Sequence, residues 1–179
     1  SLDNSGVLSY VSIRHGGTNI GQGNELNGLT LGGVGKGTTI NNIEIVANQD
    51  DGIEFFGGCV DAENLLVWAY GDDGLDVDQG YSGLIQNYVV VEGSNSDHAL
   101  ELDGGEGNWN SSFNMLDGLL ISTNGSEVHC RDGAMGFIQF DGIANVELDN
   151  GTQMVVDTLN SAVTIMEFDW TLTYAKGKL

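Results

Sequence analysis

Carboxylates recur in this sequence at intervals that could hold a cation or move a proton. Three segments carry them: Asp50-Asp51-Gly52-Ile53-Glu54-Phe55-Phe56-Gly57-Gly58, Asp72-Asp73-Gly74-Leu75-Asp76-Val77-Asp78-Gln79-Gly80 and Asp97-His98-Ala99-Leu100-Glu101-Leu102-Asp103-Gly104-Gly105. Each opens on an acidic corner, alternates apolar with other, mostly acidic, residues, and closes on glycine. Alternation marks a strand with one buried face. If Ile53, Leu75 and Leu100 point inward, Glu54, Asp76 and Glu101 point outward together. Asp78 and Asp103 follow two residues later, with Phe56 in the equivalent place. Asp50, Asp72 and Asp97 align at the preceding corner, beside Asp51 and Asp73.

Stacked strands lie ~4.8 Å apart, and carboxylates at that spacing repel unless protonated or neutralised. Calcium takes about six to eight oxygen ligands at roughly 2.3–2.6 Å, and an oxygen-only set selects a hard cation. Asp50, Asp51, Glu54, Asp72, Asp73, Asp76, Asp78, Asp97, Glu101 and Asp103 are therefore candidate calcium ligands. Carboxyl pairs also suit glycoside hydrolysis, at separations of about 5–5.5 Å or 6.5–9.5 Å. Asp76, Asp78, Glu101 and Asp103 are the catalytic candidates on that reading. His98 lies close by, and Phe56, Tyr81 and Trp109 offer rings for stacking on sugars.

The elements that position these residues repeat. The acidic copies begin at 50, 72 and 97, a period in the range of solenoid architectures. A second strand motif runs alongside: Leu8–Ile13, Ile40–Ile45, Ala62–Val67, Ile85–Val90, Leu116–Ile121 and Ile143–Leu148. Asn42, Asn64, Asn87 and Asn145 share one register in it, which predicts a stacked ladder of inward amides at a coil corner. The first strand type begins at Leu29-Thr30-Leu31 and is expected to end at Met135-Gly136-Phe137, with 162–172 as a last strand. Insertions at about 104–114 and 122–133 are expected to project as loops. The expected fold is all-β: a solenoid of about six coils with two loop insertions, forming a single domain over 1–179.

The chain has 179 residues, with 28 glycines and no proline, and 26 acidic residues against five basic ones give a formal charge of −21. Such a surface repels nucleic acid and anionic membranes and attracts cations. There is no apolar run of ~18 residues, so no membrane insertion is expected. A start at Ser1 without a signal peptide reads as a mature or excised part of a longer chain. Cys59 and Cys130 allow one disulfide, but they stand about three coils apart, or ~14 Å. A bond within the ~7 Å Cα limit needs 122–133 to fold back, and that stays open. His15, His98 and His129 are scattered in sequence, a poor pattern for a transition metal. His98 reads as a partner for nearby carboxylates.

The segments Asn27-Gly28-Leu29-Thr30-Leu31-Gly32-Gly33-Val34-Gly35, Asp50–Gly58 and Arg131-Asp132-Gly133-Ala134 resemble secreted or surface β-helix proteins of environmental bacteria. More broadly, residues 5 to 150 resemble the right-handed parallel β-helix of the pectate-lyase-like superfamily. The resemblance implies that fold and a place outside the cell, secreted or on its surface. A pectate-lyase mechanism would imply calcium-assisted proton abstraction by Arg or Lys. Arg14, Lys36, Arg131, Lys176 and Lys178 lie outside the acidic repeats, and only Arg131 is placed to enter from the second insertion. The polygalacturonase Asn-Thr-Asp and Gly-His-Gly segments are missing.

The sequence therefore favours a non-catalytic module stabilised by calcium, with a structural, adhesive or self-assembling role. The alternative is a carbohydrate-active enzyme or a glycan-binding domain. Partners are expected to be the chain itself, neighbouring domains or glycans. The second strand type places Leu66, Trp68, Val89, Val91 and Leu120 outward, an apolar patch that predicts an interface. The insertions at 104–114 and 122–133 are the candidates for covering it from within.

Overall fold

The structure, a computed structural model, describes residues 2–21, 26–105 and 112–179. Among these, strands alternate between two parallel sheets. One contains β1 (Val7–Arg14), β3 (Thr39–Val46), β5 (Ala62–Trp68), β7 (Leu84–Val91), β9 (Phe113–Ile121), β11 (Met135–Asp141) and β13 (Gln153–Asp157), paired in that order. The other contains β2 (Leu29–Thr30), β4 (Ile53–Phe56), β6 (Leu75–Asp78), β8 (Leu100–Asp103), β10 (Ser126–Arg131) and β12 (Ala144–Leu148), also in order. Every odd strand pairs with the next odd strand and every even with the next even, so the chain winds as a parallel β-helix. Inward residues of the two sheets meet in one core that includes Ile53, Phe55, Leu75, Val77, Leu100, Leu102, Ile43, Leu65, Val67 and Tyr88.

The Asp-Asp-Gly corners are tight because they turn against the opposite sheet. A Cβ on Gly52 would stand 2.4 Å from Val67 Cγ1 and 2.5 Å from the Gly74 carbonyl oxygen. Only a residue without a side chain fits there.

The asparagine ladder exists, in a different form. Asn42, Asn64 and Asn87 lie inside strands with φ of 52°, 56° and 56°, and Tyr10 and Asp117 take the same conformation at the matching place. Asparagine tolerates this left-handed region better than most residues. Asn64 Nδ2 donates to Asn42 Oδ1 at 3.2 Å, and Asn87 Nδ2 to Asn64 Oδ1 at 2.6 Å. The amides thus bond one another, and Asn145 lies apart in β12.

That displacement follows from one further difference. The 122–133 segment is not a projecting loop: it holds β10, a regular strand paired with β8 and β12. Inserting a strand advances the alternation by one. Met135–Asp141 therefore joins the first sheet and residues 144–148 the second. Of the 104–114 insertion, Phe113 and Asn114 belong to β9, and residues 106–111 lie outside the described ones.

Residues 162–172 are not a strand. They and the residues after them form a 3₁₀ turn (Ile165–Phe168) and a one-turn helix, α1 (Leu172–Ala175). This segment crosses the outer face of the first sheet and buries Phe168 completely among Leu66, Val89 and Val91, with Trp68, Leu119, Ile121, Val163 and Ile165 around them. The apolar patch at Leu66, Trp68, Val89 and Val91 is thus covered by the chain's own C-terminal segment, not by either insertion, and it is not a free interface. Leu120 never belonged to it. β9 registers Leu116 with Gln86 and Leu120 with Val90, so Leu120 points into the main core while Leu119 and Ile121 face out. A one-residue slip in the sequence alignment of strands exchanges the two faces.

Polar anchors hold the segment down. Thr164 N–H donates to Asn87 Oδ1 at 2.7 Å, and Ser161 Oγ to the Gly118 carbonyl at 2.6 Å. Glu44, fully buried, accepts from Thr173 N–H and Oγ1 at 2.8 Å each, while its other oxygen meets Ser12 Oγ at 2.5 Å and Arg14 at 3.3 Å. Burying a carboxylate without such partners would be strongly destabilising. Phe168→Ala should lower unfolding free energy by about 3–5 kcal/mol in urea titration and expose an apolar face that self-associates. A change near zero with an unaltered monomer would contradict this packing.

Candidate functional site

The even sheet brings the acidic segments into register. Glu54 pairs with Asp76, and Asp76 with Glu101, in adjacent parallel strands. The column begins at Thr30 and continues through His129, which pairs with Glu101. A second outward column contains Phe56 opposite Asp78 and, further on, Asp103 opposite Arg131. At the corner, Asp73 N–H donates to Asp51 Oδ1 at 3.1 Å and His98 N–H to Asp73 Oδ1 at 3.0 Å. Each carboxylate thus accepts the backbone donor of the next coil.

Crowding shows in the proton affinities. Burial, together with Asp51, Glu101, Glu54 and Asp103, pushes the Asp76 carboxyl up to about 9. Burial pushes Asp51 up to about 7, opposed by the Asp73 N–H and reinforced by Asp50, Asp72 and Glu54. Burial and a hydrogen bond with Glu101 push Asp73 up to about 10. Glu54 is raised by burial against the pull of Thr30 and Asn27, whose Nδ2 donates to it at 2.7 Å. Asp103 is also raised by burial, although Arg131 opposes it.

Arg131 is the residue that sequence reasoning misplaced. It stands on β10, with Nη2 2.7 Å from Glu101 Oε1 and Nε 2.8 Å from Asp103 Oδ1. His129, read as a loop residue, lies on the same strand with its ring 5.5 Å from that of His98. The pattern Ser126-Glu127-Val128-His129-Cys130-Arg131 alternates buried with more exposed residues, as the acidic copies do. That alternation could have revealed both.

Among the described residues, two groups have donor atoms close enough to share an ion. Asp50, Asp51 and Asp72 offer carboxylate oxygens within 4.8 Å of one another, as do the donors of Asp73, His98 and Glu101. Asp97 lies 4.0 Å from His98 Nδ1. The catalytic candidates Asp76, Asp78, Glu101 and Asp103 occupy the outer sheet face. Grooves of 370, 250 and 470 Å³ are lined by other residues, among them Tyr70 and Asn48, Asn41 and Glu63, and Glu92 and Asp97. Phe56 is exposed beside Asp78, whereas Tyr81 is buried, its hydroxyl donating to the Val60 carbonyl at 2.6 Å. Trp109 lies outside the described residues.

Cys59 and Cys130 are not joined. Cys59 follows β4 and Cys130 points into the core from β10, three strands away in the sheet, because 122–133 continues the helix instead of folding back. Burial pushes the Cys130 thiol up to about 12, which leaves it protonated and unreactive.

The family model for the pectate-lyase-like β-helix domain matches residues 1–172. No curated protein and no solved structure matches the chain.

The raised carboxylates set the pH response. A group whose folded pKa lies above its unfolded value of 3.8 contributes stability that is complete below 3.8 and is lost as pH rises through the folded value, about 7 for Asp51 and about 9 for Asp76. Stripped of divalent ions, the protein should therefore melt at a higher temperature as pH falls from about 9 to about 7. A melting temperature that falls over this window would contradict the burial of unneutralised carboxyls.

Proposed function

We propose that this chain, which belongs to the pectate-lyase-like β-helix domain family, is an extracellular, calcium-stabilised module with a structural, adhesive or self-assembling role. The carrying observation is the convergence of Asp50, Asp51 and Asp72 oxygens within 4.8 Å, beside the stacked Glu54 and Asp76. Oxygen-only sets of this kind suit calcium, which tolerates irregular coordination. Where a cation is built into the face, as with Arg131 against Glu101 and Asp103, the charge is already answered. At the Asp50–Asp76 end, burial and neighbouring carboxylates raise Asp51 and Asp76, and a dissolved cation would relieve that crowding. A secreted or surface location agrees with that use, as calcium is available there.

Assembly, on this reading, uses the ends of the helix. Among the described residues, β1 and β13 bound one sheet and β2 and β12 the other, so each end presents strand edges. Val7, Tyr10, Leu148 and Val155 are exposed on these strands. End-to-end docking of copies or of neighbouring domains fits these edges.

A second reading, as a carbohydrate-active or glycan-binding domain, is favoured by Phe56, an exposed ring beside Asp78 on the acidic face. Arg131 weighs against catalysis by Glu101 and Asp103, because it occupies both carboxylates.

Calcium added to the EDTA-treated protein should raise its stability by about 2.7 kcal/mol at a hundredfold excess over Kd. Thermal melting measures it. Asp50→Asn with Asp72→Asn should abolish most of the response, and Asp76→Asn with Asp78→Asn should weaken it. Identical melting curves in EDTA and in calcium would refute the proposal, and cleavage of an acidic or neutral polysaccharide lost in Asp76→Asn would favour the second reading.

A further inference from the structure

A chemically different constellation sits one coil on from the Asp50–Asp51–Asp72 cluster, with Asp73 N–H bonded to Asp51 Oδ1 at 3.1 Å. Asp73, His98 and Glu101 come from consecutive coils and a shared corner, and their donor atoms all lie within 4.8 Å. Asp73 is 3% exposed, and its Oδ1 lies 2.8 Å from His98 Nδ1. β10 then adds His129, in direct register with Glu101 and with its ring 5.5 Å from that of His98. Two imidazoles that are 31 positions apart in sequence are neighbours in space.

Arg131 lies 2.7 Å from Glu101 Oε1, and the Glu101 carboxyl also shares a hydrogen bond with Asp73, whose proton an incoming cation would displace. His129 Nε2 lies 3.5 Å from Asp149 Oδ1. A ligating histidine whose other nitrogen meets a carboxylate is a recurring support for bound metal. One coil beyond His98, Ser126 is 1% exposed and its hydroxyl has no hydrogen-bond partner among the described residues. Register with the Leu100–Val128 pair puts it in the His98 column.

Nitrogen donors change the selectivity. Imidazole with carboxylate favours zinc-class divalent ions, whereas calcium prefers oxygen alone. Zinc sites take about four such ligands in tetrahedral array.

We propose that Asp73, His98 and Glu101, completed by His129, form a binding site for a zinc-class divalent transition metal. The site uses nitrogen donors that the calcium set lacks, so it stands or falls separately from the calcium reading. It clamps the coils of β6, β8 and β10 together at the point where the acidic columns meet Arg131.

The test is calorimetric titration of zinc into the EDTA-treated full chain, paired with the visible absorption of bound cobalt. The expected result is a single tight ion per chain with the intense cobalt bands of a tetrahedral nitrogen–oxygen set. His98→Ala should weaken zinc by about tenfold or more and His129→Ala by a similar factor. Asp50→Asn with Asp72→Asn, which removes calcium ligands, should leave zinc binding unchanged. His129 lies on the sheet's outer face, so its substitution tests the site without disturbing the core, and circular dichroism checks folding of each variant. No zinc binding, octahedral cobalt spectra, or zinc affinity unchanged in both histidine variants would overturn the proposal.

Discussion

Parallel pairing in register multiplies each residue into a column. Neighbouring strands lie ~4.8 Å apart, so whatever stands at one position meets the same position of the next coil. For apolar residues this builds the core, with Ile53 on Leu75 on Leu100. For an amide it is favourable because each group both donates and accepts, and Asn42, Asn64 and Asn87 bond in sequence. For a carboxylate it is unfavourable because each group only accepts. The Glu54–Asp76–Glu101 column therefore needs a counter-charge or protons. Arg131 supplies the charge at one end, and the raised affinities of Asp51 and Asp76 for protons mark the need at the other.

The same rule governs the two outer faces. The first sheet's outward side is apolar, and the chain spends its C-terminal segment covering it, with Phe168 as the plug and Glu44 as a buried anchor. The second sheet's outward side is acidic, and the charged groups face solvent. Covering belongs to the apolar side and the crowded carboxylates to the acidic one, where the proposed cation would act.

Much of this was readable from residue patterns. Alternation within Ile53–Phe56, Leu75–Asp78 and Leu100–Asp103, between corners that recur at 50, 72 and 97, was enough to place Glu54, Asp76 and Glu101 side by side. Legibility failed where the corner signature lapsed. β10 begins at Ser126 without the Asp-Asp-Gly motif, so its strand resembled an insertion, and His129 and Arg131 were placed on a loop. The missed strand also moved Asn145 to the wrong sheet. Leu120 was lost to a one-residue slip, since Gly118 rather than Leu119 stands opposite Tyr88. Residues 162–172 have a strand-like composition, but their apolar residues were matched by an existing face, and tertiary packing overrode local preference.

The central claim is that the acidic columns bind a cation at neutral pH. An anomalous difference map from a crystal grown at neutral pH in calcium tests it most directly. The account predicts a peak about 2.3–2.6 Å from carboxylate oxygens of Asp50, Asp51 and Asp72. A map without a peak there, with these carboxyls bonded to one another or to water, would contradict it.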